Sequence, residues 1–194
     1  MADERGGEGR RLSRGRLVFY ILILVCAPFI MYLGLVRDLR FFLVPSESME
    51  PTLLRGDYLV TLNDQPYHRG DIIVLRDPTQ AGAYLVKRIA GLPGDTVAVV
   101  QGALILNGKY ASEPYIKEPI QYEMEPVTVP EGQVFVLGDN RNNSEDSSMW
   151  TRERFGIDHT VSQDAIVGRV RYIYFPFSRM GPVAGYPLTN SEGQ

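Results

Sequence analysis

Cysteine and histidine are nearly missing from this chain: its 194 residues hold one of the former, Cys26, and two of the latter, His68 and His159. A lone cysteine excludes a disulfide within the chain and a thiolate metal cluster. The two histidines form no His-Glu-x-x-His pattern and have no Cys-x-x-Cys beside them, so no metal or cofactor is expected. There is no Gly-x-Ser-x-Gly elbow, and neither histidine has a neighbour that marks it as a triad base; both read as loop residues. Internal repeats and low-complexity tracts are absent, and no amphipathic helix is visible after residue 36. The formal net charge of −3 is unevenly spread, because residues 1–16 hold five arginines against three acids and leave the remainder net acidic. An acidic body argues against nucleic acid as a partner.

What the chain does have is one long apolar run. Leu17 to Val36 is twenty residues without a charge, about 30 Å as a helix, which matches a bilayer core. A cleavable signal peptide has an apolar stretch of about 7–15 residues followed by small residues. Here Arg37 and Asp38 follow directly, so residues 17–36 are expected to be an uncleaved transmembrane anchor. Pro28 is placed to kink it, and Tyr20 and Tyr32 to meet the two interfaces. Residues 1–16 read as a basic tail that stays cytoplasmic and meets anionic lipid headgroups, which puts residues 37–194 on the other side of the cell membrane. The bilayer is thus an expected partner. Phe41–Val44 is too short to span; a membrane-surface segment and an ordinary core strand fit it equally.

From Asp57 onward the sequence breaks into short β-branched or aromatic runs bounded by Gly, Pro, Asn or Asp: Tyr58–Leu62, Ile72–Leu75, Tyr84–Ala90, Thr96–Val100, Ala103–Leu106, Gln133–Leu137 and Ala165–Phe175. The expected fold is mostly β, an antiparallel sheet domain with a small inserted β/loop lobe at about residues 96–131. Four prolines make Lys109–Glu131 the loosest part. The segment beyond Pro176 is expected to wrap loosely over the surface or to fray.

Three stretches could carry chemistry. Pro45-Ser-Glu-Ser-Met-Glu-Pro51 presents Ser46 and Ser48 on a turn that two prolines keep from becoming a helix. Lys87 shares a strand face with Leu85 and Ile89, where desolvation would favour a neutral amine able to act as a base. A lysine snorkelling from an edge strand fits the same pattern. The apolar strand Val134–Leu137 runs into the polar stretch Gly138–Ser148, which reads either as a functional loop or as an Asx-rich turn.

Taken in order after one anchor, these stretches resemble type I signal peptidases, the membrane-anchored Ser/Lys proteases that remove signal peptides from exported preproteins. The residues that carry the resemblance are Pro-Ser-Glu-Ser-Met-Glu-Pro-Thr-Leu-Leu-Arg-Gly-Asp at 45–57, Gly-Asp-Ile-Ile-Val at 70–74, Val-Lys-Arg-Ile-Ala-Gly-Leu-Pro-Gly-Asp at 86–95 and Gly-Asp-Asn-Arg-Asn-Asn-Ser-Glu-Asp-Ser at 138–147. The resemblance implies Ser48 as nucleophile, Lys87 as general base, the Ser46 hydroxyl as an oxyanion donor and Ser144 as the residue orienting the lysine. It places Arg88, Asp139, Arg141 and Asp146 in supporting roles. The implied partner is a preprotein signal peptide, cut after small residues, with Met49, Leu85 and Ile89 as candidate pocket walls. Two positions depart from the family pattern: Asn142 stands where an aspartate is common, and Ser148 where an arginine usually pairs with the residue matching Asp146. Arg152 or Arg154 is the candidate to supply the missing charge.

Overall fold

Runs of β-branched and aromatic residues cut by turn formers favour strands over helices. The computed structural model describes residues 14–183 and 185–188 and, within the first helix, the side chains of residues 15, 16 and 18–32. That helix, α1 (Arg14–Arg37), is 24 residues long and contains Pro28; its described side chains, Val18 to Tyr32 among them, are exposed. Among the described residues, no helix is long and apolar enough to cross a membrane.

The unit from Asp38 onward is β-structure. Its strands are β1 (Leu39–Leu43), β2 (Tyr58–Leu62), β3 (Ile72–Arg76), β4 (Tyr84–Gly91), β5 (Thr96–Val100), β6 (Ala103–Leu106), β7 (Lys109–Tyr110), β8 (Met124–Thr128), β9 (Gln133–Leu137), β10 (Val161–Ser162), β11 (Ile166–Phe175) and β12 (Gly181–Pro182). One sheet runs β1-β2-β11-β3-β4-β9-β10, with β12 also paired to β11; a second runs β7-β6-β5-β8. The described pairings are antiparallel. A single turn of helix, α2 (Arg152–Phe155), is capped by the Thr151 side chain.

Alternation along the strands builds a core on each face of the large sheet. Ile72, Val74 and Val86 point to one face and pack with Val44, Met49, Leu53 and Leu59. Ile73, Leu75, Ile89 and Val136 point to the other, around Trp150. Lys87 pairs directly with Ile73 and therefore lies on the Trp150 face. Leu104, Leu106, Val97, Val99 and Phe135 form a third cluster beneath the second sheet.

The strands expected from the sequence are present. Three readings are resolved or changed. Of the two alternatives for Phe41–Val44 the strand is the one formed, since Phe41–Leu43 lies in the edge strand β1, with Phe41 and Leu43 exposed and Phe42 turned to the core. The loose stretch 109–131 contains β7 and β8, and β8 tolerates Pro126 because it lies at a sheet edge, where a missing N–H breaks no ladder. Past Pro176 the described residues are tied down: Phe177–Arg179 forms a 3₁₀ turn, Gly181–Pro182 pairs with β11, and Leu188 is buried, while residues 184 and 189–194 lie outside the described residues.

Trp150 has no exposed surface, and its indole N–H has no hydrogen-bond partner. Trp150→Ala should therefore cost about 3–5 kcal/mol through lost burial and the cavity left behind. Trp150→Phe, which sacrifices no hydrogen bond, should cost clearly less, as read by chemical denaturation of both variants.

Candidate active site

Residues Val44 to Asp57 form a closed turn. Val44 N–H donates to Asp57 O at 2.8 Å, Gly56 N–H donates back to Val44 O at 2.9 Å, and Gly56 has the positive φ of 95° that favours glycine. Inside it, Leu53 N–H donates to Met49 O and Glu50 N–H to Glu47 O, so Ser48 rides on a short hydrogen-bonded bend. Ser48 is half-buried; Ser46, two residues before, is exposed and donates its hydroxyl to Ser48 Oγ at 3.3 Å.

The loop after β9 reaches this turn through backbone and amide groups. Asn140 N–H donates to Ser48 O at 3.0 Å, and Asn140 Nδ2 donates to Glu47 O at 3.2 Å. Gly138 is wedged between the two sides: a Cβ there would stand 2.5 Å from Ser48 O and 2.3 Å from Ser144 Oγ. Ser144 in turn accepts a 2.9 Å hydrogen bond from Lys87 Nζ. One glycine thus sits against both the Ser48 backbone and the hydroxyl that holds the lysine.

Lys87 is 2% exposed. Burial pushes its pKa below the ordinary lysine value, and the carboxylates of Asp146, Glu145, Asp77 and Asp139 offset only part of that. The sequence left open a snorkelling lysine; the side chain is instead buried and its Nζ ends on Ser144.

The polar residues behind this cluster are buried and paired. Arg88 forks onto Asp139 (Nε–Oδ1 2.8 Å, Nη2–Oδ2 2.6 Å), donates to Gly70 O at 2.7 Å, and stacks 3.9 Å from the centre of the Tyr115 ring. Thr52 in the serine turn also donates to Asp139. Arg141 donates to Gly138 O and forks onto Glu113. Asp146 accepts from Gly138 N–H at 2.8 Å. Thr52, Glu113, Tyr115 and Asn140 were not singled out in the sequence: Thr52 and Asn140 lay inside conspicuous motifs, whereas Glu113 and Tyr115 sit in the proline-rich stretch that carried no pattern.

The candidate pocket walls separate. Met49 and Ile89 are both fully buried but in different cores, Met49 with Val44, Leu53 and Val86, and Ile89 with Ile73, Val136 and Trp150. Leu85 packs against the Ile89 cluster. Leu85 and Ile89 share one face of the large sheet and Met49 packs on the other, so the three are not brought together. The histidines stay apart from the cluster too: His68 is exposed beside Asp71, and His159 contacts Ser147 O through Nδ1.

The family model "Signal peptidase, peptidase S26" matches residues 14–175. The chain belongs to this family. It is 40% identical over 164 residues to "Probable signal peptidase I-1" of Synechocystis sp., covering 76% of this chain and 80% of that protein. It is 36% identical over 162 residues to a signal peptidase I of Bacillus licheniformis, covering 75% and 83%. A crystal structure of a signal peptidase I from Enterococcus faecalis is similar over 55% of this chain and 97% of its own, at 32% identity and a TM-score of 0.45.

The two departures from the signal peptidase pattern have local solutions. Ser148 donates both its N–H and its hydroxyl to Asp146 Oδ1, at 3.0 and 2.8 Å. Arg152 and Arg154 do not replace the missing arginine: Arg152 pairs with Asp158, and Arg154 lies over the Phe155 ring. Asn142 donates to Glu118 Oε1 and Pro119 O and accepts from Gln121 N–H.

Because a methyl group on residue 138 would displace Ser144 Oγ, the Ser48 carbonyl or both, Gly138→Ala should lower preprotein processing by about 10²-fold or more, the scale expected for a shift near 1 Å in a reacting group. Single-turnover cleavage by the purified variant checks it.

Proposed function

We propose that this chain is a membrane-anchored serine endopeptidase that removes signal peptides from exported preproteins, with Ser48 as nucleophile and Lys87 as general base. The observation that carries this reading is a buried lysine, its pKa lowered by desolvation, hydrogen-bonded to a serine that one glycine separates from the Ser48 backbone. In the reaction, Lys87 as neutral amine takes the proton of Ser48 as Oγ attacks the scissile carbonyl. It returns that proton to the leaving amine, and a water then hydrolyses the acyl-enzyme by the same route. Ser144 holds the amine in place. The Ser46 hydroxyl, with the Ser48 backbone N–H, is the proposed oxyanion donor. Arg88, Asp139, Arg141 and Asp146 keep the loop in register.

The domain division follows from the same reading: a basic tail at 1–16, a single-pass anchor at 17–36 with its N-terminus cytoplasmic, and an extracytoplasmic peptidase domain at 37–194 that carries the inserted lobe at about 96–131. Within the β-unit, exposed Phe41, Leu43, Tyr58, Phe175 and Phe177 form an apolar patch whose rings meet edge to face, Phe41 and Tyr58 each on Tyr174 and Phe175 on Phe177. Contiguous exposed aromatic surface of this kind suits a bilayer interface. A substrate held in the same membrane is thus presented to a site tethered there. Small pockets would reject large side chains by steric exclusion.

Ser48→Ala and Lys87→Met should each abolish cleavage of a preprotein in detergent while leaving the thermal unfolding of the β-unit measurable. Processing at the parental rate by either variant would remove that residue from the mechanism. The pH dependence gives a second check. A lowered lysine pKa means that the neutral base accumulates as pH rises through that lowered value, so kcat/KM should climb with an inflection below the about 10.4 of a free lysine. An inflection at the free value would mean that Lys87 is not desolvated in solution.

A further inference from the structure

The serine turn has two limbs, and they are held by different parts of the chain. The first, Val44–Ser48, is fixed by Asn140 and Gly138. The second, Thr52–Asp57, meets a guanidinium that lies beyond residue 175, where the family match ends. Arg179, in the 3₁₀ turn after β11, donates from Nε to Asp57 Oδ1 at 2.9 Å and from Nη2 to Asp57 Oδ2 at 3.0 Å. The same Nη2 donates to Thr52 O at 3.1 Å. Asp57 is 1% exposed, and its Oδ2 also accepts Leu54 N–H at 2.8 Å. A planar fork that satisfies a carboxylate with two nitrogens and a carbonyl with one of them fixes distance and angle together, which a single ammonium cannot do.

We propose that Arg179 is a positioning residue for the Ser48 nucleophile, acting through Asp57 and Thr52; this rests on the reading of Ser48 given above. Thr52 links the two clamps. Its carbonyl accepts from Arg179, and its hydroxyl donates to Asp139, the partner of Arg88. Without Arg179, Asp57 keeps its carboxylate buried against one backbone N–H, Thr52 O loses its donor, and the second limb must rearrange to rehydrate them. Because Leu53 N–H bonds to Met49 O, that rearrangement is passed to the residue next to Ser48. Lys87 and Ser144 are not contacted by Arg179 in any of these bonds.

The test uses the full-length protein in detergent with a preprotein substrate. Arg179→Gln should lower kcat about 10- to 100-fold with KM nearly unchanged and with the pH inflection of the parent, since the base is untouched. Arg179→Lys, which keeps the charge but not the fork, should recover part of that loss. Asp57→Asn should reproduce the kcat defect, and the double variant should be no worse than about 3-fold below the slower single one, because both changes break one unit. A folded Arg179→Gln with parental kcat and only a lower melting temperature would overturn the proposal, as would a shifted pH inflection. If Arg179→Gln does not fold, Asp57→Asn carries the test, and parental kcat there overturns it. Ser48→Ala run alongside separates the two claims: its inactivity with an unaffected Arg179→Gln rejects only the role of Arg179, whereas its full activity rejects the nucleophile itself.

Discussion

The buried Arg88–Asp139 pair is the constraint on which the rest of the site depends. Neither side chain is more than 1% exposed, so each charge has given up its hydration and must be fully repaid by its partners. Asp139 spends one oxygen on Arg88 Nε and shares the other between Arg88 Nη2 and Thr52; Arg88 uses its remaining nitrogen on Gly70 O. That set joins three chain segments far apart in sequence: the serine turn, the strand that carries Lys87, and the loop that carries Ser144. Removing either Arg88 or Asp139 strands the other's charge in the interior. The geometry of the loop is therefore fixed by a polar requirement.

Lys87 sits one residue before Arg88 on the same strand, and alternation sends the two to opposite faces. The guanidinium goes to a carboxylate; the amine goes to a hydroxyl. Burial opposes charge on Lys87 and outweighs the four carboxylates that favour it. Asp139 is neutralised by Arg88, and Asp146 spends its oxygens on Gly138 and Ser148. The pair at Arg88 thus places the loop, and it also engages Asp139, the weakest of the four carboxylates that act on Lys87.

The strands were legible because Ile72–Leu75 and Gln133–Leu137 combine β-branched composition with sharp turn boundaries. β8 was not, since Pro126 reads as a break and only its position at a sheet edge makes it harmless. For the site, Ser48, Lys87 and Ser144 lay inside motifs whose residue types announce chemistry. Strand alternation grouped Leu85, Lys87 and Ile89, and Leu85 and Ile89 do share one core. Met49 belongs to the opposite core, as pairing of Val74 with Val86 makes plain only once register is known. Arg179 was invisible for a different reason: its partner Asp57 is more than a hundred residues earlier, and no local pattern reports such a pair.

The two departures from the family pattern are better understood as neutral replacements for charged contacts. At Ser148, a hydroxyl and its own N–H occupy the Asp146 oxygen that a cation would otherwise take. At Asn142, the amide donates to Glu118 and to Pro119 O, and its oxygen accepts from Gln121 N–H. An aspartate there could keep the last of these but would lose both donors and place its charge against Glu118. The amide fits this chain because the lobe segment 113–121 presents an acid and a carbonyl to it. With Arg141 forked onto Glu113 next door, the loop bearing Ser144 is fastened to that segment at two consecutive residues. Asn142 and Ser148 thus serve the attachment of the loop, and the contacts among Lys87, Ser144, Gly138 and the Ser48 backbone do not pass through either residue.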